Sequence, residues 1–204
     1  MLLVIIWESA WLSSYKISFT DMDFNELVKI RQSVRRYSAA SVEPDKIESI
    51  LQAAQLAPSA CNSQPWHFIV CTDENIKNKV AKATFNEIIS FNKFVLSAPV
   101  IIVIVLEKPK NITKIGAAIK NREFPLYDIG IVAEHICLQA AELGLGTCML
   151  GWFNEKEIMK ILSIPLNKRI GLVITLGYPE KNYPLRKKIR KNISEITSYN
   201  VYKS

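Results

Sequence analysis

Three side chains that hold anions alternate at Arg31, Ser33 and Arg35, within the run RQSVRRY. In extended backbone, positions two apart point to one side, so two guanidinium groups and a hydroxyl share a face. Arg36 and Tyr37 are then expected to face the other way. Such a set suits a phosphate, because arginine donates paired, charge-assisted hydrogen bonds. Taken alone, the motif reads equally well as a solvated basic turn after a helix. A second group, Pro58, Ser59, Asn62 and Gln64, lies just before an apolar run, WHFIVC. Asn and Gln amides both donate and accept, as the edge of a nucleobase or an isoalloxazine requires. The plainer alternative is a polar turn feeding a strand.

Two further stretches bear on the same chemistry. LGLGTCMLGW at 143–152 is glycine-rich but follows a helix instead of opening one, so it is neither a dinucleotide fingerprint nor a P-loop. Its glycines would let backbone approach a flat ring; a simple helix stop is the competing reading. Lys181, Arg186, Lys187, Lys188, Arg190 and Lys191 place six cations in eleven residues near the C-terminus. A solvated tail or a nucleic-acid arm is the alternative there, but no nucleic-acid module is legible.

Other chemistries find little support. Cys61, Cys71, Cys137 and Cys148 form no CxxC pair, which argues against zinc or an iron–sulfur cluster. Buried reduced thiols are expected, and with them a cytoplasmic protein. His67 and His135 are the only histidines and have no evident carboxylate or thiol partner, and no GxSxG elbow is present. The formal charge of +7 favours anionic partners, a phosphate-bearing cofactor or a dinucleotide among them.

The elements that must position these groups follow from patterning. At 204 residues and 49% hydrophobic, the chain supports one domain with a real core. Residues 2–7 are apolar but too few to span a bilayer. Residues 1–21 are expected to be an extension outside a core domain of 22–204, with a dimer-contact arm using Trp7 and Trp11 as the alternative. Asp23 and Glu26 read as a capping box for a helix ending near Ser33. Pro44 opens a second helix that Pro58 stops. Residues 66–71 read as a strand, 74–97 as a helix broken at most once, and 99–106 as a central strand buried on both faces. Residues 108–127 read as a mobile loop or lid. A helix is predicted over 128–143, ended by Gly144 and Gly146. Short elements follow at 147–150 (strand), 155–162 (helix) and 170–176 (strand). The tail from Lys181 reads as too extended to fold on itself, and embracing a second subunit would bury it. Strands interleaved with helices give an α+β class.

RxSxR at 31–35, PSxxNSQPWHF at 58–68, a small-residue helix leading into LGLGTCxxGWF at 143–153, LGYP at 176–179 and the basic tail occur in that order. In this the chain resembles the nitroreductase family of FMN-dependent oxidoreductases, over roughly residue 22 to the C-terminus. The resemblance implies a mixed central β-sheet flanked by helices, in an intertwined homodimer with FMN at its interface. It implies that Arg31, Ser33 and Arg35 hold the phosphate and pyrimidine side of the flavin. The resemblance further implies that Lys188 and Arg190 complete the phosphate clamp, with Arg186 as a second candidate. By the same resemblance Asn62, and with it Pro58, Ser59 and Gln64, is expected to meet the ring or ribityl from the partner subunit. Leu150 and Gly151 are expected from the resemblance to lie beside the reactive face; many relatives carry an acidic residue near position 150, so nicotinamide handling is open to difference here.

The implied reaction is ping-pong hydride transfer from NAD(P)H through FMN to an oxidised acceptor, a nitroaromatic or a quinone, with no obligatory protein acid or base. No metal, membrane or nucleic acid is implied. The alternatives are a flavin-binding protein of the same fold with non-reductase chemistry, and a basic nucleic-acid-binding module.

Overall fold

The computed structural model describes residues 23–87, 90–108 and 122–202. The expected extension at 1–21 and most of the expected lid, at 109–121, lie outside the described residues.

Four strands form one sheet: β1 (Trp66–Cys71), β2 (Val100–Leu106), β3 (Gly146–Leu150) and β4 (Arg169–Gly177), in the order β1-β2-β4-β3. The three named pairings are antiparallel. The mixed character comes from an isolated parallel bridge between Ser33 and Thr147 at the β3 edge. With helices packed on both faces, the class is α+β.

Burial explains why β2 is apolar without alternation. Val100, Ile102 and Ile104 face a core shared with α2 (Pro44–Gln55) and α4 (Phe124–Glu142). Ile101, Val103 and Val105 face a second core, built with Val80 of α3 (Glu74–Lys82) and Ile158 of α5 (Glu155–Ile161). A strand covered on both sides has no solvent face to make polar.

Several boundaries differ from expectation. The first helix, α1 (Phe24–Ile30), stops before Ser33, which frees 31–35 to run extended along β3. Asp23 makes no side-chain cap; its carboxylate takes the Asn25 amide instead. The helix expected over 74–97 is α3 plus a separate 3-10 turn at Lys93–Ser97. Helix α4 begins at Phe124, four residues before Asp128, with Pro125 in its first turn. Strand β3 starts at Gly146 and β4 at Arg169.

Two glycines shape the β3 edge. Gly144 has φ of +75°, the left-handed conformation that ends α4. Gly146 makes room for Val34: a Cβ there would lie 2.5 Å from Val34 Cγ2. Its bareness thus serves protein packing. Gly146→Ala is expected to cost about 1–3 kcal/mol through overpacking and to displace residues 31–35. A thermal melt of the variant should show a lowered Tm; an unchanged Tm would contradict this packing.

Candidate functional site

Residues 31–37 are anchored from beneath. The Val34 amide donates to Thr147 O at 2.8 Å, and the Val34 side chain is buried. The Tyr37 hydroxyl donates to Val34 O at 2.9 Å and lies 2.6 Å from Thr175 Oγ1. Burial holds that phenol well above its usual range, so it stays protonated and keeps donating. Arg36 does not share a side with Tyr37: it pairs at the surface with Glu180 at 2.7 Å and stacks over the Tyr183 ring.

The first part of the tail folds onto this segment, whereas the sequence reads as too extended for that. Gln32 Nε2 donates to Pro184 O at 3.1 Å, and Gln32 Oε1 accepts from the Arg186 amide at 3.1 Å. Arg186 Nη2 donates to Ser33 O, and Lys188 Nζ donates to Arg31 O. The Arg35 amide donates to the Tyr183 hydroxyl at 3.1 Å. Gln32 and Tyr183 are thus site residues that sequence reasoning missed. They were hidden because their partners lie about 150 positions away.

The outcome is a groove of about 320 Å³ lined by Arg31, Ser33, Arg35, Arg186, Lys188 and Arg190, among others. Five of the eleven expected site residues therefore meet in one chain: Arg31, Ser33, Arg35, Lys188 and Arg190. Arg186, the second candidate, joins them. Glu134 of α4 supplies a nearby carboxylate, 3.2 Å from Arg31 Nε, but that nitrogen is not aligned to donate a hydrogen bond. Desolvation first, then the Arg31 and Arg190 charges, hold the Lys188 ammonium below the ordinary lysine range. Cys148 lies beneath the same cations; burial raises its thiol, while Arg35, the Ser33 hydroxyl and Arg186 oppose that rise.

Pro58, Ser59, Asn62 and Gln64 do not line this groove. They form a separate, tightly bonded loop around a 3-10 turn at Ala60–Asn62. Cys61, Asn62 and Gln64 have φ of 52°, 48° and 47°, a left-handed series that is costly for non-glycine residues. Side-chain bonds help to sustain it. Ser59 Oγ accepts from the Gln64 amide at 2.9 Å, and Asn62 Oδ1 accepts from Gln64 Nε2 at 2.8 Å. Buried Asp128 of α4 accepts from the Ala60 amide at 3.0 Å, and its second oxygen is buried without a partner. Asp128 also escaped sequence reading, because it looked only like a helix start.

Leu150 ends β3, and Gly151 follows it. The parallel Ser33–Thr147 bridge sets their height: Leu150 lies three strand residues, about 10 Å, beyond Thr147. The Leu150 side chain is buried in the core, so only its backbone and exposed Gly151 are available to a ligand. Gly151 opens on a cavity of about 660 Å³. All four cysteines are free; burial pushes Cys71 up to about 11 and Cys137 up to about 12. Among the described residues, no cluster of three or more His, Cys, Asp or Glu could hold a metal, and no helix is long and apolar enough to cross a membrane.

This geometry agrees with the comparisons. The chain matches the Nitroreductase family over residues 28–93 and 90–178. A protein of Archaeoglobus fulgidus, provisionally named NADH dehydrogenase/NAD(P)H nitroreductase, is 34% identical over 163 residues, covering 76% of this chain and 84% of its own length. A crystal structure of a nitroreductase family protein from Clostridium difficile 630 superposes with a TM-score of 0.72 at 31% identity, over 89% of this chain and all of that one. An FMN-dependent nitroreductase from Clostridium difficile R20291 gives 0.67 at 28% identity, over 86% and 98%. The chain belongs to the nitroreductase family, a family of oxidoreductases.

The donor set fits the phosphate of FMN. The groove's cations are undercompensated by carboxylates; Lys188 is held low first by desolvation and then by the Arg31 and Arg190 charges, and a bound dianion would offset that second contribution. The sign for pH dependence follows. Lys188 loses its proton at a lower pH than an unfolded lysine does, so over that window the unfolded chain binds more protons and the apo fold gains stability as pH rises. A bound anion favours the protonated form, so FMN affinity should weaken as pH rises, beginning below the usual lysine range. Fluorescence titration of FMN from neutral to alkaline pH should show that decline in the native chain and a flatter profile in Lys188→Met. Superimposable profiles would contradict it.

Proposed function

We propose that this chain is an FMN-dependent oxidoreductase working as a homodimer. The observation that carries the reading is the convergence of Arg31, Ser33 and Arg35 with Arg186, Lys188 and Arg190 in one groove along the edge of β3. Bound FMN would supply the redox chemistry, passing reducing equivalents by a ping-pong sequence from NAD(P)H to an oxidised acceptor such as a nitroaromatic or a quinone. The arginines and lysines bind the phosphate, Ser33 adds a neutral hydroxyl, and Gly151 leaves the flat ring unobstructed. No protein group need move a proton in the chemical step. The FMN-dependent title of the Clostridium difficile R20291 relative supports the cofactor.

The homodimer is supported by what a single chain leaves apart. Asn62 and its loop neighbours lie outside the cationic groove, and a second copy would bring them to it. Beyond Lys188 the tail exposes Ile189, Ile193, Ile196, Tyr199, Val201 and Tyr202. An apolar series of that kind is soluble only when something covers it, and a second subunit is the covering we assign. In this reading the core domain runs from about residue 22, and the reduced, unpaired thiols accord with the cytoplasm.

A nucleic-acid role is less well supported. Arg186 and Lys188 turn inward onto the backbone of Ser33 and Arg31, whereas an arm that tracks phosphates would present them outward.

The test is the visible spectrum of the protein loaded with FMN, before and after anaerobic addition of NADPH or NADH. Flavin absorbance that bleaches is the expected result; failure to take up FMN would overturn the reading. Arg31→Ala and Arg190→Ala should each weaken FMN binding about tenfold or more, the worth of a charge-assisted hydrogen bond. The apo melting curves of both variants should stay near that of the native chain. Unchanged FMN affinity in both would remove the clamp.

A further inference from the structure

We propose that the cleft between α3 and α5 binds the phosphorylated adenosine end of NADPH and so sets a preference for NADPH over NADH; the proposal rests on the flavin-dependent reading above. The cleft, of about 610 Å³, lies outside the cationic groove. That volume is in the range of small-molecule sites.

Its walls are tied to each other. The buried Asn92 amide donates from Nδ2 to both Thr84 O and Trp152 O, at 3.1 Å each, joining the two sides. A second stitch runs from the Asn154 amide to Ala83 O at 2.7 Å. Because these bonds are internal to the protein, the cleft is held open before any ligand arrives.

The lining matches one ligand chemistry. Lys79 and Lys82, one helical turn apart on α3, are exposed, and neither is ion-paired among the described residues. Trp152, at 58% exposure, offers an indole face, flanked by Phe85 and Phe153. Paired ammonium groups beside an aromatic face suit a flat base carrying a phosphate. Glu157 on the same wall opposes an anion there but can accept from a ribose hydroxyl or an exocyclic amine.

Position links the cleft to the reaction. Trp152 directly follows Gly151, and Phe153 lines both this cleft and the cavity that holds Gly151. A nicotinamide placed beside Gly151 thus has a neighbouring recess for the other end of the dinucleotide. NADH lacks the 2′-phosphate, so the two lysines would discriminate against it.

Two measurements on the full chain test this. Anaerobic stopped-flow reduction of the FMN-loaded protein gives apparent Kd values for NADPH and NADH. The native chain should favour NADPH, and Lys79→Gln with Lys82→Gln should lower that ratio about ten- to a hundredfold. No native preference, or an unchanged ratio in the double variant, would overturn the proposal. Independently of flavin, adenosine 2′,5′-bisphosphate should quench tryptophan fluorescence saturably. That quench should vanish in Trp152→Phe and weaken in the lysine variant. Absence of quench, or a quench that survives both changes, would also overturn it. If neither dinucleotide bleaches the flavin, the oxidoreductase reading fails separately, and the fluorescence titration still decides whether the cleft takes a nucleotide phosphate.

Discussion

The close seating of residues 31–37 on the edge of β3 is the constraint from which the candidate site follows. Gly146 leaves the space, Val34 fills it, and the Val34 amide closes the bridge to Thr147. Tyr37 then locks the far end through Val34 O and Thr175. With Val34 and Tyr37 committed to the interior, Arg31, Ser33 and Arg35 are left to line the groove. The tail reads that same backbone: Gln32, Ser33 and Arg31 supply the groups that Pro184, Arg186 and Lys188 bind. Were the segment to lift from β3, both halves of the cationic groove would be lost together.

Electrostatics set the opposing term. Six cationic side chains line one groove once Lys187 is counted with the five named above, and such like-charge crowding disfavours the compact state unless an anion is present. Arg186 and Lys188 ease the crowding by donating to backbone carbonyls, and Glu134 eases it at Arg31. What remains is a site whose stability is linked to its ligand, since anything that binds the folded chain alone shifts the folding equilibrium towards it. The loop at 59–64 solves a different problem. Its left-handed residues are held by side-chain bonds and by a buried carboxylate from α4, which fixes amide groups in place without filling the space beside them.

Much of this was legible in the sequence. The apolar run of β2, the Pro44 and Gly144 boundaries and the alternation of Arg31, Ser33 and Arg35 are local patterns with local causes. The failures are those of non-local context. Asp23 with Glu26 has the letters of a capping box, but Asn25 competes for the carboxylate. Thr84, Asn86 and Asn92 are residues that favour turns, and α3 ends just before them, with Asn92 recruited to bond Thr84 and Trp152. Phe124 and Pro125 looked like loop because the basic stretch before them masked a proline-led helix start. Tyr37 and Arg36 part company because one finds Thr175 in the core and the other finds Glu180 at the surface. The tail reads as too extended to fold on itself because nothing local shows that Gln32 bonds to residues 184 and 186.

The central claim is that the groove of Arg31, Ser33, Arg35, Arg186, Lys188 and Arg190 is a phosphate clamp for a flavin. The most direct measurement compares the affinity of the apo protein for FMN with that for riboflavin, which has the same ring and ribityl chain and no phosphate. Flavin fluorescence titrations give both constants under one condition. The account predicts FMN binding tighter by about a hundredfold or more, the worth of two charge-assisted hydrogen bonds, with the difference shrinking as salt is raised. Equal affinities for the two flavins would contradict it.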